Sequence, residues 1–120
     1  MSANPYARTG KIAEELAALH FMLKGHYIFW PVVDNGADFV AMKDGKYEGV
    51  QVKRMNESGP SNMKNKDFDL LAIVGEQHIW IIPAVNLPGT GVEVLGANSK
   101  YHIFREERLH WEKHVARASR

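Results

Sequence analysis

Residues 37–54 read ADFVAMKDGKYEGVQVKR, and this stretch decides the fold. Two runs rich in apolar and β-branched residues, 37–43 and 46–54, lie on either side of the dipeptide DG at 44–45. A DG pair between such runs favours the tight turn of a β-hairpin. The stretch therefore predicts two adjacent antiparallel strands.

The second of these strands alternates apolar and polar side chains. Val50 and Val52 fall on one face, and Gln51 and Lys53 fall on the other. Exposure of the polar face to solvent would explain Lys53 by itself. An amide and an amine two residues apart on an apolar strand also resemble half of a metal-dependent nuclease site.

Helical periodicity is clearest N-terminal to the hairpin, over residues 9–24. Ile12, Leu16, Leu19 and Leu23 recur there at the spacing of one helix face. The segment predicts an amphipathic helix with these four residues as its apolar stripe.

The rest of the chain predicts further strands and a C-terminal helix. Strand-like segments occur at 26–33, 68–74, 78–84 and 91–95. Pro31 predicts that the first of them lies at a sheet edge or is bulged near its end. The middle two predict a second hairpin, and their unbroken apolar runs predict burial on both faces. Residues 105–119 predict a helix with Leu109, Trp111 and Val115 as apolar contacts, so the order indicates an α/β fold with a central sheet flanked by helices.

Composition indicates one soluble globular domain. The 120 residues suit a single domain over 1–120, with 45% hydrophobic residues, 24% charged residues and a net charge of +1. The chain has no cysteine, which excludes disulfides and thiolate metal sites. No apolar run reaches membrane-spanning length, and residues 1–11 lack the apolar core that a secretion signal requires, so we expect neither feature. We expect a soluble, intracellular, cytoplasmic protein with no membrane partner.

Four polar residues stand where packing alone does not require them. Glu14 lies on the predicted helix away from the leucine stripe, and Asp38 precedes the apolar residues of the first hairpin strand. Gln51 and Lys53 follow on the second strand. Phosphodiester hydrolysis uses such a set, because oxygen ligands hold Mg²⁺ and a lysine orients or deprotonates the attacking water. For Asp38 alone, capping of the preceding turn is the alternative.

The order of these residues resembles the PD-(D/E)XK nuclease superfamily, in which a helix bearing Glu precedes Asp and then (D/E)XK on a hairpin. Here the corresponding residues are Glu14, Asp38, Gln51 and Lys53. The strand GVQVK and the later pair FDLLAIV and IWIIP resemble the small group I intron-encoded, homing-type endonucleases. The start, with Gly10 four residues before Glu14, is also similar to archaeal-type Holliday junction resolvases.

This resemblance implies a restriction-endonuclease-like core with a mixed sheet, and it implies a role for each of the four residues. Asp38, Gln51 and Glu14 would be metal ligands, and all four, including Lys53, would be catalytic. The implied cofactor is Mg²⁺, for which Mn²⁺ would substitute.

The resemblance covers about residues 9–84 and departs from the superfamily pattern at two positions. Ala37 stands where proline is usual, before Asp38. Gln51 stands where an acid is usual, which removes one negative charge from the metal site. Glutamine at this position looks normal in the intron-encoded branch and unusual in the resolvases.

The expected partner is duplex or branched DNA, contacted by the polar loop that follows the second hairpin strand. The residues expected to bind DNA are Arg54, Ser58, Asn62, Lys64 and Lys66. Cutting both strands needs two sites, so we expect a homodimer or a higher homo-oligomer.

The sequence therefore predicts a Mg²⁺-dependent DNA endonuclease. A Holliday junction resolvase is the alternative within the enzyme class. A catalytically inactive nuclease fold used for DNA binding or assembly, and a structural domain without a nucleic-acid role, are the alternatives outside it.

Overall fold

The computed structural model describes residues 5–32, 36–55, 67–87 and 100–112. The elements are α1 (Pro5–Leu23), β1 (Tyr27–Phe29), β2 (Phe39–Lys43), β3 (Lys46–Arg54), β4 (Leu70–Val74), β5 (His78–Pro83) and β6 (Arg105–Glu107). In this part of the chain the strands form one sheet in the order β1-β2-β3-β4-β5-β6. Neighbouring strands are antiparallel except β3 and β4, which are parallel. A mixed sheet with a helix packed on it confirms the predicted α/β class.

Both predicted hairpins are present. Asp44 and Gly45, between β2 and β3, have φ angles of 52° and 78°. Positive φ at both central residues is the conformation of the type I′ turn that DG favours. β4 and β5 form the second hairpin, and β1 lies at an edge of the sheet as Pro31 indicates.

Helix α1 packs on the sheet through its small side chains. Ala13, Ala17, Ala18 and Phe21 are buried with Val50 and Val52 of β3 and with neighbouring strands. The predicted apolar stripe is less buried than these residues: Ile12 is 48% exposed, and the three leucines are half-buried. Both sets of residues fit helical periodicity, but alanine lets the helix axis come closer to the sheet. Within the described residues, no helix is long and apolar enough to cross a membrane.

A second apolar cluster covers the other face of β4 and β5. Its buried members are Leu71, Ile73, Trp80, Ile82, Leu87 and Tyr101. Because the α1 side of these strands is also buried, the predicted burial of the second hairpin on both faces is confirmed.

The predicted C-terminal helix is wrong over residues 105–110. Residues 105–107 form β6, which pairs with β5, and helical backbone begins only at Trp111. Tertiary contacts explain the difference, because Arg108 donates from its backbone N–H to the Gln77 carbonyl at 2.9 Å and from its guanidinium to the carbonyls of Gly75 and Glu76. The predicted strand at 91–95 and the segment after residue 112 lie outside the described residues.

Candidate functional site

Strands β2 and β3 separate just beyond the pair Phe39–Val50, and Asp38 lies where they part. The backbone N–H of Asp38 donates to the Val50 carbonyl at 2.8 Å. Its side-chain Oδ2 accepts from the backbone N–H of Val52 at 2.7 Å. The Asp38 carboxylate therefore takes the place of a backbone carbonyl as the acceptor for the Val52 N–H. This bond fixes the carboxylate at the edge of β3. Since this bond crosses to the neighbouring strand, Asp38 does more than close the turn that precedes it.

Gln51 and Lys53 flank the residue to which Asp38 is bonded. Val50 and Val52 are buried beneath α1, whereas Gln51 and Lys53 are half-buried, which confirms the predicted alternation along β3. The N–H that Asp38 accepts belongs to the peptide joining Gln51 to Val52. The hairpin register thus brings Asp38 beside both polar residues of β3.

Glu14 approaches the same place from the helix. It is half-buried, next to the buried Ala13 and one turn before Ala17 and Ala18. Burial is the largest cause that raises the pKa of Glu14, and the nearby charge of Asp38 raises it further. The two carboxyl groups are therefore near enough to interact electrostatically.

The donor set at this site fits a hard divalent cation. Carboxylate and amide oxygens are ligands that Mg²⁺ accepts, and a divalent cation would relieve the repulsion between Glu14 and Asp38. Among the described residues, no group of three His, Cys, Asp or Glu side chains could hold a metal ion. Alternation along β3 puts Gln51 on the face away from α1, so a metal-ligating role for its amide oxygen stays a prediction.

Of the five residues expected to bind DNA, the structure describes Arg54. Arg54 is half-buried on the α1 side of β3, and its Nη1 donates to Thr9 Oγ1 at 3.1 Å. The guanidinium thus ties the end of β3 to the first turns of α1. Ser58, Asn62, Lys64 and Lys66 lie outside the described residues.

Sequence reasoning missed Asp69, which braces β3 from the side opposite Asp38. Its Oδ2 accepts from the Gly49 N–H at 2.8 Å, and its own N–H donates to the Gly49 carbonyl at 2.8 Å. A Cβ at Gly49 would lie 3.3 Å from the Ala37 Cβ, so glycine keeps the segment before Asp38 close to the sheet. The available signal was a second aspartate just before an apolar strand.

A separate cavity of about 470 Å³ lies between α1 and the ends of β3 and β4. Ile12, Leu16, Arg54 and Arg108 are among its lining residues, whereas Glu14, Asp38, Gln51 and Lys53 are not. Ile12 and Leu16 of the apolar stripe line this cavity rather than packing on the sheet. Arg54 and Arg108 are both hydrogen-bonded to other groups of the protein.

The arrangement of strands and helix matches a known class of DNA enzyme. The solved structure of the bacterial homing endonuclease I-Ssp6803I superposes with a TM-score of 0.65 over 99% of both chains, at 20% sequence identity. The chain therefore has the fold of a homing endonuclease.

The sequence also has a relative in a bacteriophage. Protein 5.3 of Escherichia phage T7 is 30% identical to this chain, over 77% of this chain and 92% of the phage protein. The chain belongs to the same family as this phage protein. No protein-family model matches it.

Proposed function

We propose that this protein is a metal-dependent DNA endonuclease of the PD-(D/E)XK type. The observation that carries the proposal is the placement of Asp38, hydrogen-bonded between Gln51 and Lys53 and electrostatically coupled to Glu14. The homing-endonuclease fold supports DNA as the substrate.

In this proposal each of the four residues has a distinct role. Asp38, Gln51 and Glu14 hold Mg²⁺, and Lys53 orients or deprotonates the attacking water. When bound there, Mg²⁺ would polarise the phosphoryl oxygen and make a bound water more acidic. Because Gln51 carries no charge, the protein ligands bring two negative charges rather than three. A duplex cut would use two copies of the chain, one for each strand.

A cleavage panel tests the proposal. Purified protein is incubated with a duplex library, a four-way junction and single-stranded DNA, each with Mg²⁺, with Mn²⁺ and with EDTA. We expect cleavage that needs the metal and that is lost in Asp38→Ala and Lys53→Ala. Lys46→Ala and Asp44→Asn are matched controls, since both residues lie at the exposed hairpin turn and asparagine tolerates the positive φ of Asp44.

Each result separates one alternative from the others. Preference for the junction regardless of sequence would identify a resolvase. Salt-dependent DNA binding without cleavage in either metal would identify an inactive nuclease fold. Cleavage that survives Lys53→Ala would refute the catalytic assignment, and a complete lack of DNA affinity would leave a structural domain.

A further inference from the structure

A second lysine lies beside the candidate site, on the helix. The Nζ of Lys11 is 4.5 Å from the centroid of the Trp30 ring, which is the geometry of a cation–π contact. Trp30 is 46% exposed, and Lys11 is exposed too, so both remain accessible to a partner.

The Trp30 ring is itself fixed to the strand that carries the site. Its centroid is 5.5 Å from that of Phe39, which is fully buried and follows Asp38 directly in the chain. Lys11 precedes Glu14 by three residues, so the two side chains are neighbours on one helix face. The Lys11 ammonium therefore lies near the Glu14 carboxylate, and its aromatic partner Trp30 packs on the residue that follows Asp38.

Within the described part of the chain, no ion pair neutralises the charge of Lys11. The ion pairs found within the described residues join His20 and Lys24 to Glu106, and Lys46 to Glu48. Lys11 is close enough to lower the pKa of Glu14, yet an aromatic face rather than a carboxylate holds it. An aromatic face orients a cation and leaves its N–H donors free for an anion.

We propose that Lys11 binds a backbone phosphate of DNA at the candidate site, with Trp30 as the residue that positions it. The inference rests on the proposed function, because it takes DNA as the ligand. Lys11 would be a second cation for DNA besides Lys53. Lys11 lies on the α1 side of the sheet, whereas Lys53 lies on the opposite face of β3. The competing explanation is a surface cation–π contact that only helps α1 to pack.

Metal-free DNA binding tests the inference without relying on cleavage. The affinity of the protein for a labelled duplex is measured in EDTA by fluorescence anisotropy over a series of salt concentrations. For Lys11→Met we expect affinity to fall about three- to tenfold at about 0.1 M salt, and the slope of log Kd against log salt to fall by about one phosphate contact. Lys46→Met, an exposed lysine at the far end of β3, is the matched control and should change neither quantity.

A double-mutant cycle tests the role of Trp30. Trp30→Leu should weaken binding in the native background and have no further effect in Lys11→Met, because its contribution passes through Lys11. Trp30→Phe keeps an aromatic face and should retain most of the affinity. Thermal melts of all variants check that Trp30→Leu still folds; if it does not, Trp30→Phe with Lys11→Met gives the decisive comparison.

The outcomes separate this inference from the proposed function. Equal affinity and equal salt slope in Lys11→Met and Lys46→Met would overturn the inference, even if the native protein cleaves DNA. Loss of the phosphate contact in Lys11→Met would support it, even if the native protein proved unable to cleave. Absence of any DNA binding by the native protein would overturn both.

Discussion

Two polar clusters lie along the same helix, and they differ in how their charges are arranged. Toward the N-terminal half of α1, Glu14 meets Asp38, a like charge that raises its pKa in addition to burial. At the C-terminal end, Glu106 of β6 is hydrogen-bonded to the neutral His20 and forms an ion pair with the oppositely charged Lys24. The first cluster is the candidate site, and the second joins the helix to the far edge of the sheet.

Hydrogen bonds join the residues of the second cluster. Nδ1 of the buried His20 accepts from the Leu109 backbone N–H at 3.0 Å, so Nε2 carries the proton and donates to Glu106 Oε1 at 2.6 Å. Lys24 Nζ donates to the same oxygen at 2.8 Å. Burial lowers the pKa of His20 and keeps the ring neutral. Burial alone would raise the pKa of Glu106, but the hydrogen bonds from Lys24 and His20 lower it below its ordinary value.

The difference separates a structural network from a candidate site. In the second cluster the buried His20 has both ring nitrogens hydrogen-bonded, so the network stabilises the fold. In the first cluster burial and a like charge both raise the pKa of Glu14, which destabilises the fold slightly, and a bound cation would remove that cost. The comparison therefore predicts that changes in the first cluster affect activity and that changes in the second affect stability.

The largest expected effect is on cleavage in Asp38→Asn. We expect the rate to fall about 10²–10³-fold, the loss typical of removing one preorganised electrostatic contact to a transition state. The free energy of unfolding should stay the same or rise, since Glu14 loses a repelling neighbour. Single-turnover cleavage and urea unfolding measure the two quantities. Full activity with lowered stability would place Asp38 in a structural network instead.

The next largest effect is on stability in His20→Leu. The substitution leaves the Leu109 N–H and one bond of Glu106 without a partner, so unfolding should become easier by about 2–4 kcal/mol. Cleavage per folded molecule should stay near the native value. Met22→Leu, at a half-exposed position on the same helix, is the control and should change stability by less than about 0.5 kcal/mol. A large loss of specific activity in His20→Leu would contradict the separation of the two clusters.

These two clusters also differ in how far sequence could predict them. The position of Asp38 beside Gln51 and Lys53 follows from a local hairpin, since the turn at 44–45 fixes the register. The hydrogen bond between His20 and Glu106 joins residues 86 apart in the chain, and no spacing pattern in the sequence predicts it. The approach of Glu14 to Asp38 is also long-range, and only the resemblance to a nuclease family indicated it.

Helical periodicity failed to predict the structure in two places where tertiary contacts determine it. Residues 105–110 have helix-compatible composition, but pairing with β5 and the bonds of Arg108 to the β4–β5 turn outweigh that local preference. On α1, periodicity identified the helix but not its buried side. The buried side consists of small residues, Ala13, Ala17 and Ala18, which pack against the sheet.

The smallest expected effect is on the pH dependence of stability, where the two clusters act with opposite signs. His20 and Glu106 have folded pKa values below their ordinary values of 6.5 and 4.5. The unfolded chain therefore binds more protons than the folded one, so this cluster loses stability as pH falls below about 6.5 and again below about 4.5. Glu14 has a folded pKa above 4.5, so its contribution is present at low pH and is lost as pH rises through that folded value.

Removing each group should therefore change the slope of stability against pH in a different direction. In urea unfolding between pH 4 and pH 7, His20→Leu should flatten the rise in stability that ends near pH 6.5, because the unfolded state no longer gains the extra proton. Glu14→Gln should steepen the rise just above pH 4.5, because it removes the opposing contribution. Asp38→Asn should steepen it less, since burial remains the larger cause of the raised Glu14 pKa. If Glu14→Gln flattened the slope of stability against pH instead, Glu14 would be a stabilised carboxylate like Glu106. The two clusters would then not differ in the sign of their contribution to stability, which would contradict the distinction drawn between them.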